Sequence, residues 1–218
     1  MGHERPYCTP HLCEGLPVAE IEVRPTTRAD VRELSKVLAR AFFTDPVMNY
    51  MLPDDKARTK ALPPMFTTLT KNHFLSRGGS EVASRSGEIG AATLWDPPGQ
   101  RKSTRWEELR MMPTLAWHFH SRAEQTKTLG KLMEQAHPEE PHWYLMVIGS
   151  DPSVRGAGFG QALMHSRLDR CDGEHAPAYL EASEEALIPY YNRFGFEQIG
   201  EIRIPDGPTM IPMWRSPR

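Results

Sequence analysis

The chain predicts an α/β protein built around one sheet, and three observations carry that prediction. Runs of strand length alternate with runs of helical period, in the order β-α-α-β-β-α-β-α-β-α-β-β. One run, "HWYLMVIG", is apolar, aromatic and β-branched almost without a break, the pattern of a strand covered on both faces. The length of 218 residues, 39% hydrophobic and 25% charged, suits one compact domain. Residues 1–18 read as a poorly ordered leader and 19–218 as the domain.

In "AEIEVRP", Ile21 and Val23 alternate with charged residues, a half-buried strand ended by Pro25. The next segment offers Thr27 as a cap with Asp30 three residues on, then Val31, Leu34, Val37, Leu38, Ala41 and Phe42 at helical spacing. Pro53, Pro63 and Pro64 interrupt the periodicity that follows, so the spacing predicts a short helix, a turn, and a longer helix ending at Gly78 and Gly79. "SEVASRS" and "EIGAATLWD" form a hairpin across a Gly-containing turn, closed by the loop "DPPGQ". Ser103 to Ala136 is helical again in two pieces, with Pro113 bending the first. After "HWYLMVIG" come a helix closing near Gly173, the short strand "PAYLEAS", the short helix "EEALIPYYNRFG", the strand "FEQIGEIRIP" and a last strand "TMIPMWRS".

A net charge of −2 lacks the basic excess of a nucleic-acid binder and speaks against anionic membranes as partners. No apolar run reaches the roughly 18–20 residues of a membrane span, and "MGHERPYCTPHLCEGLP" lacks the apolar core of a secretory signal. Three cysteines do not make a disulfide framework; together these features point to the cytoplasm. Cys8, His11 and Cys13 cluster in the leader, but a structural zinc site needs a second ligand pair, and none follows. No metal is expected.

The segment "SDPSVRGAGFGQALM" places Gly156, Gly158 and Gly160 at alternate positions where a helix begins. Glycine costs a helix about 0.8–1.0 kcal/mol relative to alanine, and a turn needs one or two glycines rather than three. The dinucleotide pattern G-x-G-x-x-G fails, since its last position falls on Gln161 or Leu163, and no Gly-Lys-Ser/Thr ending supports a Walker loop. A helix start that holds phosphate remains. Its first turn carries unpartnered N–H groups and partial positive charge, glycines let those amides approach a bulky anion, and Arg155 stands at the entrance.

Arg155, Gly158 and Gly160 after a central strand match the Gln/Arg-x-x-Gly-x-Gly/Ala signature, and on these residues the chain resembles the GNAT acyltransferase superfamily. "HWYLMVIGSDPSVRGAGFGQALM", "PAYLEASEEALIPYYNRFGF" and "PDGPTMIPMWR" are similar, in order and spacing, to the C-terminal half of its puromycin N-acetyltransferase group. The N-terminal half matches more loosely, through "VRPTTRADVRELSKVLARAF", Asp45–Pro46 and "LWDPPG", so that the resemblance runs from Ile21 to Arg215.

The resemblance implies a GNAT-type single domain: a mixed, mostly antiparallel sheet of about seven strands, flanked by helices and splayed between two parallel central strands. It implies acetyl-CoA as acyl donor. The pyrophosphate would meet the amides of Arg155, Gly156, Ala157, Gly158, Phe159, Gly160 and Gln161, and the pantetheine arm the backbone of Ile148, Gly149 and Ser150. Tyr191, four residues before Gly195, occupies the position of the general acid, with Tyr190 beside it lining the site. Glu181, at a strand end, is the expected base, acting directly or through water. Asp45 and Trp95 are the expected acceptor-site residues. Leu187 stands where the related pattern has an Asn, and Ser150 where an apolar residue is common.

The function implied is transfer of an acetyl group to the amine of a small molecule, antibiotic-like or otherwise xenobiotic. Acetylation of a protein or peptide amine, and CoA binding without turnover, are the alternatives. C-terminal strands often pair subunits in this superfamily, which allows a homodimer.

Overall fold

The computed structural model describes residues 20–218. The leader, with Cys8, His11 and Cys13, lies outside the described residues. Strand β1 (Glu22–Pro25) hands the chain to helix α1 (Val31–Ala41) through Asp30. The Asp30 carboxylate receives both Arg24 N–H groups at 2.7 Å, the Thr27 N–H at 2.8 Å and the Thr27 hydroxyl at 2.6 Å. These donors hold its pKa well below the usual carboxylate range, the Arg24 hydrogen bond contributing most. Thr27 therefore opens a turn instead of capping, and the helix starts three residues later, at Val31. Its buried face carries Val31, Leu34, Val37 and Leu38, as the period requires.

Helix α2 (Pro46–Met51) is capped by Asp45, whose side chain accepts from the Met48 N–H at 2.9 Å, and α3 (Asp55–Leu69) by Asp54. Pro63 and Pro64 lie inside α3 and do not end it. An interior proline costs roughly 3 kcal/mol, while each fully buried large apolar side chain returns about 1.5–3 kcal/mol. Leu62, Met65 and Phe66, all buried around the two prolines, together return about 4.5–9 kcal/mol against a cost of roughly 6 for the pair, enough to keep the helix intact. The helix winds down through two irregular turns, Thr70–Phe74 and Leu75–Arg77, and stops at Gly78 (φ 67°).

Strands β2 (Glu81–Arg85) and β3 (Glu88–Asp96) form the expected hairpin, with Ser86 (φ 53°) and Gly87 (φ 82°) in the left-handed region that a two-residue turn demands. Helices α4 (Arg105–Phe119), opened by a Thr104/Glu107 capping box, and α5 (Ala123–Ala136) lead to β4 (Trp143–Ser150). Then come α6 (Phe159–Gly173), β5 (Ala178–Ala182) and α7 (Ile188–Asn192). The run "FEQIGEIRIP" is two short strands rather than one, β6 (Glu197–Gln198) and β7 (Ile202–Arg203), both paired with β8 (Thr209–Arg215). Between them β8 presents Pro212, which has no N–H for a ladder.

The eight strands lie in the order β1-β2-β3-β4-β5-β8-β6, with β7 also on β8, and every pairing is antiparallel except β4 with β5. The expected mixed, mostly antiparallel sheet has eight strands. Helices α1 to α5 contribute to a core on one face, around Leu38, Phe66, Phe74 and Leu94. Helices α6 and α7 cover the other, around Trp95, Met164, Leu180 and Phe196.

Helix α1 reaches β4 at Gly149. A Cβ there would lie 2.8 Å from Ala41 Cβ, 3.0 Å from Leu38 Cδ2 and 3.2 Å from the Phe42 ring. Gly149→Val should destabilise the fold by about 1–3 kcal/mol through overpacking, read as a fall in melting temperature of roughly 2–12 °C. An unchanged melting temperature would show that α1 does not bear on β4 in solution.

Candidate active site

The parallel pairing of β4 and β5 is three residues long: Trp143, Tyr144 and Leu145 lie opposite Ala178, Tyr179 and Leu180. On its other side β4 carries one extra residue against β3. Trp95 pairs with Leu145 and Leu94 with Val147, which leaves Met146 as the inserted residue of a bulge. A bulge bends its strand, and from this point β4 leaves β5. Beyond Leu145, the edge of β4 that faces β5 has no partner strand. A cleft of about 640 Å³ opens there, lined by the end of β4, the start of α6, Leu180 and Glu181 of β5, α7, and the Thr44–Pro46 segment.

The glycine-rich loop forms one wall. Gly156 (φ 79°) and Gly158 (φ 92°) take left-handed backbone that other residues rarely adopt, and Gly158 is the residue on which α6 begins. Nothing lies within 4 Å of a Cβ built on Gly156, so the cradle is open there; a Cβ on Gly160 would lie 3.0 Å from Tyr190 Oη and 3.5 Å from Ser150 Oγ. The first turn of α6 faces the cleft through Phe159, Gly160 and Gln161, and its unpartnered N–H groups suit a phosphate. Arg155 and Arg193 supply the cations along this wall, both exposed, Arg155 also donating to the Ala41 carbonyl at 3.3 Å. These features fit the diphosphate end of a CoA thioester, and the unpaired edge at Ile148 and Ser150 fits its amide-bearing arm.

Tyr191 lines the cleft, yet is only 6% exposed. Burial, then the neighbouring Tyr190 and the Asp45 charge, push its phenol far above the ordinary tyrosine range. Such a phenol keeps its proton at neutral pH and can give it to a basic leaving group. Tyr190 packs edge-on against Tyr191 with ring centroids 5.2 Å apart, and burial raises its phenol as well.

Glu181 lines the same cleft from the other face of the sheet. Tyr191 packs in the core cluster that contains Leu180, whereas Glu181, one residue on in the strand, points the opposite way, alongside Tyr179. Its side chain is 3% exposed, and Oε1 makes no hydrogen bond. A buried carboxylate oxygen without a partner is costly unless something else uses it. A buried carboxylate and a buried phenol thus stand on opposite sides of one gap.

Of the other expected residues, Asp45 lines the cleft while also capping α2, and Leu187 lines it where the related pattern has an Asn. Trp95 does not line it. Its side chain is fully buried in the core with Trp143, Leu145 and Met164, which removes it from acceptor contact. Ala157 lies outside the lining, with its carbonyl 3.4 Å from Arg85 Nη2. Phe159 presents only its backbone, because its ring packs into the core over Gly90, where a Cβ would come within 2.7 Å. The absence of a side chain at Gly149 serves α1 packing on the far face. Met146 and Arg193 were not expected. The bulge that exposes Met146 has no sequence signature, whereas Arg193 was visible as a cation two residues after Tyr191.

Comparisons with known proteins agree with this geometry. The family model described as an acetyltransferase (GNAT) domain matches residues 104–216. A Corynebacterium glutamicum structure described as histone acetyltransferase HPA2 and related acetyltransferase is 30% identical, with a TM-score of 0.72 over 91% of this chain and 97% of that one. A mosquito arylalkylamine N-acetyltransferase like 5b (13% identity, TM-score 0.55, covering 90% of this chain and all, 100%, of that one) shares the fold. So does the Escherichia coli ribosomal-protein-S18-alanine N-acetyltransferase (16%, 0.51, covering 90% and 94%). A splayed parallel pair, a glycine-started helix beside it and a family match over the residues that build both make one assignment: the chain belongs to the GNAT acetyltransferases and is an N-acetyltransferase.

Proposed function

We propose that the chain moves an acetyl group from acetyl-CoA directly to the primary amine of a small molecule, with Glu181 as base and Tyr191 as acid. The observation that carries this reading is the pair of buried proton-handling groups on opposite faces of the gap between β4 and β5. An alkyl ammonium, with a reference pKa of about 10.4, must lose a proton before its nitrogen can attack the thioester carbonyl. Glu181 Oε1, buried and unpartnered, is available to take it. A backbone N–H on the unpaired edge of β4, that of Ile148, can hold the carbonyl oxygen as it gains charge. Tyr191 then gives its proton to the departing thiolate. Over one turnover the ammonium gives up two protons: one replaces that of Tyr191 and the other reaches solvent.

A small acceptor is favoured because Glu181 lies deep, 3% exposed, and because the lining mixes Asp45, Glu181 and Glu184 with Arg155 and Arg193 instead of forming an acidic groove for basic peptides. A peptide acceptor is the second reading, favoured by the histone acetyltransferase description of the Corynebacterium relative.

Thiol release with tyramine, agmatine, spermidine, an alanine-initiated peptide and a lysine-containing peptide separates the two. Turnover confined to peptides would overturn the small-molecule reading. Acetyl-CoA at 100 times its dissociation constant should stabilise the protein by about 2.7 kcal/mol. Gln161→Glu, at an exposed position in the first turn of α6, suits a helix start but repels phosphate, and it should reduce that shift while leaving the free protein's melting temperature nearly unchanged. Tyr191→Phe should lower kcat by about 10²-fold or more at unchanged acetyl-CoA binding. Because burial raises the Tyr191 phenol, the acid form persists through pH 10, and kcat should show no alkaline fall below that point. Glu181→Gln should lose most at neutral pH and recover as the amine deprotonates by itself.

A further inference from the structure

Behind Glu181, on the face away from Tyr191, two histidines are packed into the fold. His137 follows α5 and His142 precedes β4. Their Nε2 atoms are 3.0 Å apart, His142 Nδ1 is 2.5 Å from the Glu140 carbonyl oxygen, and His137 Nδ1 is 3.8 Å from Glu181 Oε1. Both rings are walled by aromatics, with Tyr144 and Tyr179 each 4.9 Å from His137, and Tyr179 and Trp214 each 5.3 Å from His142.

With both rings neutral, the hydrogen bonds fix the tautomers. A carbonyl only accepts, so His142 carries its proton on Nδ1 and its Nε2 is a bare acceptor. His137 must then donate from Nε2, which leaves its Nδ1 without a proton and turned toward Glu181 Oε1. Two acceptors face each other across 3.8 Å in a buried place, and neither has another partner among the described residues. A single added proton would satisfy both.

We propose that His137 and His142 form the proton outlet of Glu181, an inference that rests on Glu181 being the base. The amine proton taken by Glu181 passes to His137 Nδ1. His137 Nε2–H moves to His142 Nε2, leaving His142 charged and His137 neutral. The His142 imidazolium gives its Nδ1 proton to solvent beside the exposed Glu140 as the net proton of the reaction, and both rings turn over to restore the starting tautomers before the next cycle. Handing the proton to the imidazoles returns Glu181 to its ionised form, free to take a proton from the next amine. His137 and His142 are positioning residues here, since neither lines the cleft.

Other ionisable groups around the pair do not replace it. Tyr144 on β4 and Tyr179 on β5 have phenols pushed up by burial, then by the Glu181 charge and by its carboxylate as a hydrogen-bond acceptor, so they stay neutral donors beside it and do not carry its proton away. Arg101, after β3, pairs with Glu134 of α5, and both act on the pair only through space. Burial lowers the His142 pKa, which favours release of the proton once it arrives.

The test uses the full chain and two readouts. Imidazole 15N NMR of the resting protein should show His142 protonated on Nδ1 and His137 on Nε2, the arrangement that leaves His137 Nδ1 open toward Glu181. The second readout is the pH profile of thiol release with the fastest amine of the panel above. His142→Asn keeps an N–H for the Glu140 carbonyl and removes the Nε2 acceptor. It should lower kcat about tenfold near pH 7, leave the KM for acetyl-CoA within about twofold, and converge on the parent enzyme toward pH 10. His137→Gln should do the same. A loss equal at every pH in both variants, or a resting His137 protonated on Nδ1, overturns the outlet. An unaffected Glu181→Gln profile instead overturns Glu181 as base, and the outlet with it, as does the absence of turnover with every amine.

Discussion

The site depends on a β pairing that stops early. Three residue pairs hold β4 to β5, and the bulge at Met146 then turns β4 away while β3 continues to pair with it through Ser150. Backbone groups left without a partner in a protein interior are costly. The fold keeps this edge of β4 on a cleft instead of burying it, where an extended, amide-bearing ligand can take the missing strand's place. The site therefore belongs to the sheet: its position is set by where the ladder ends, and the helices that wall it are placed by the same two strands.

Glycine has three different jobs around this gap. Gly156 and Gly158 provide left-handed backbone, and that conformation aims the start of α6 at the cleft. Gly160 leaves room for the Tyr190 hydroxyl and for an anion beside it. Gly149, adjacent in sequence, answers to packing: α1 lies so close to β4 that even one methyl group would collide. Helix packing on one face thus holds β4 in the position from which its other edge serves the cleft.

The electrostatics follow from which face each residue takes. Alternation along β5 puts Leu180 in the core with Tyr191 and turns Glu181 to the opposite side, toward Tyr144, Tyr179 and the two histidines. Burial keeps the Tyr191 phenol protonated on one side. On the other it leaves a carboxylate oxygen without a hydrogen bond. The sheet thus separates a buried phenol from a buried carboxylate.

Much of this was legible in the residues. The apolar run of β4, the hairpin at Ser86 and Gly87, the period of α1 and the glycine-rich start of α6 are local patterns, and local patterns survive into the fold because they are satisfied by near neighbours in the chain. The same holds for Tyr191 and Glu181, which sit at recognisable offsets from those patterns. What failed were judgments that needed a partner. Pro63 and Pro64 remain in a helix because Leu62, Met65 and Phe66 are buried around them. The strand after α7 divides because β8 offers Pro212. Trp95 belongs to the core because β3 turns it toward Trp143 and Leu145. The sequence by itself determined most of the elements and the glycine-rich start of α6, and it placed Tyr191 and Glu181 beside them. Only the tertiary structure decided that β4 would part from β5 at Leu145, that the Tyr191 phenol and the Glu181 carboxylate would lie on opposite faces, and that His137 and His142 would meet behind Glu181, because each of these depends on contacts between segments the chain keeps far apart.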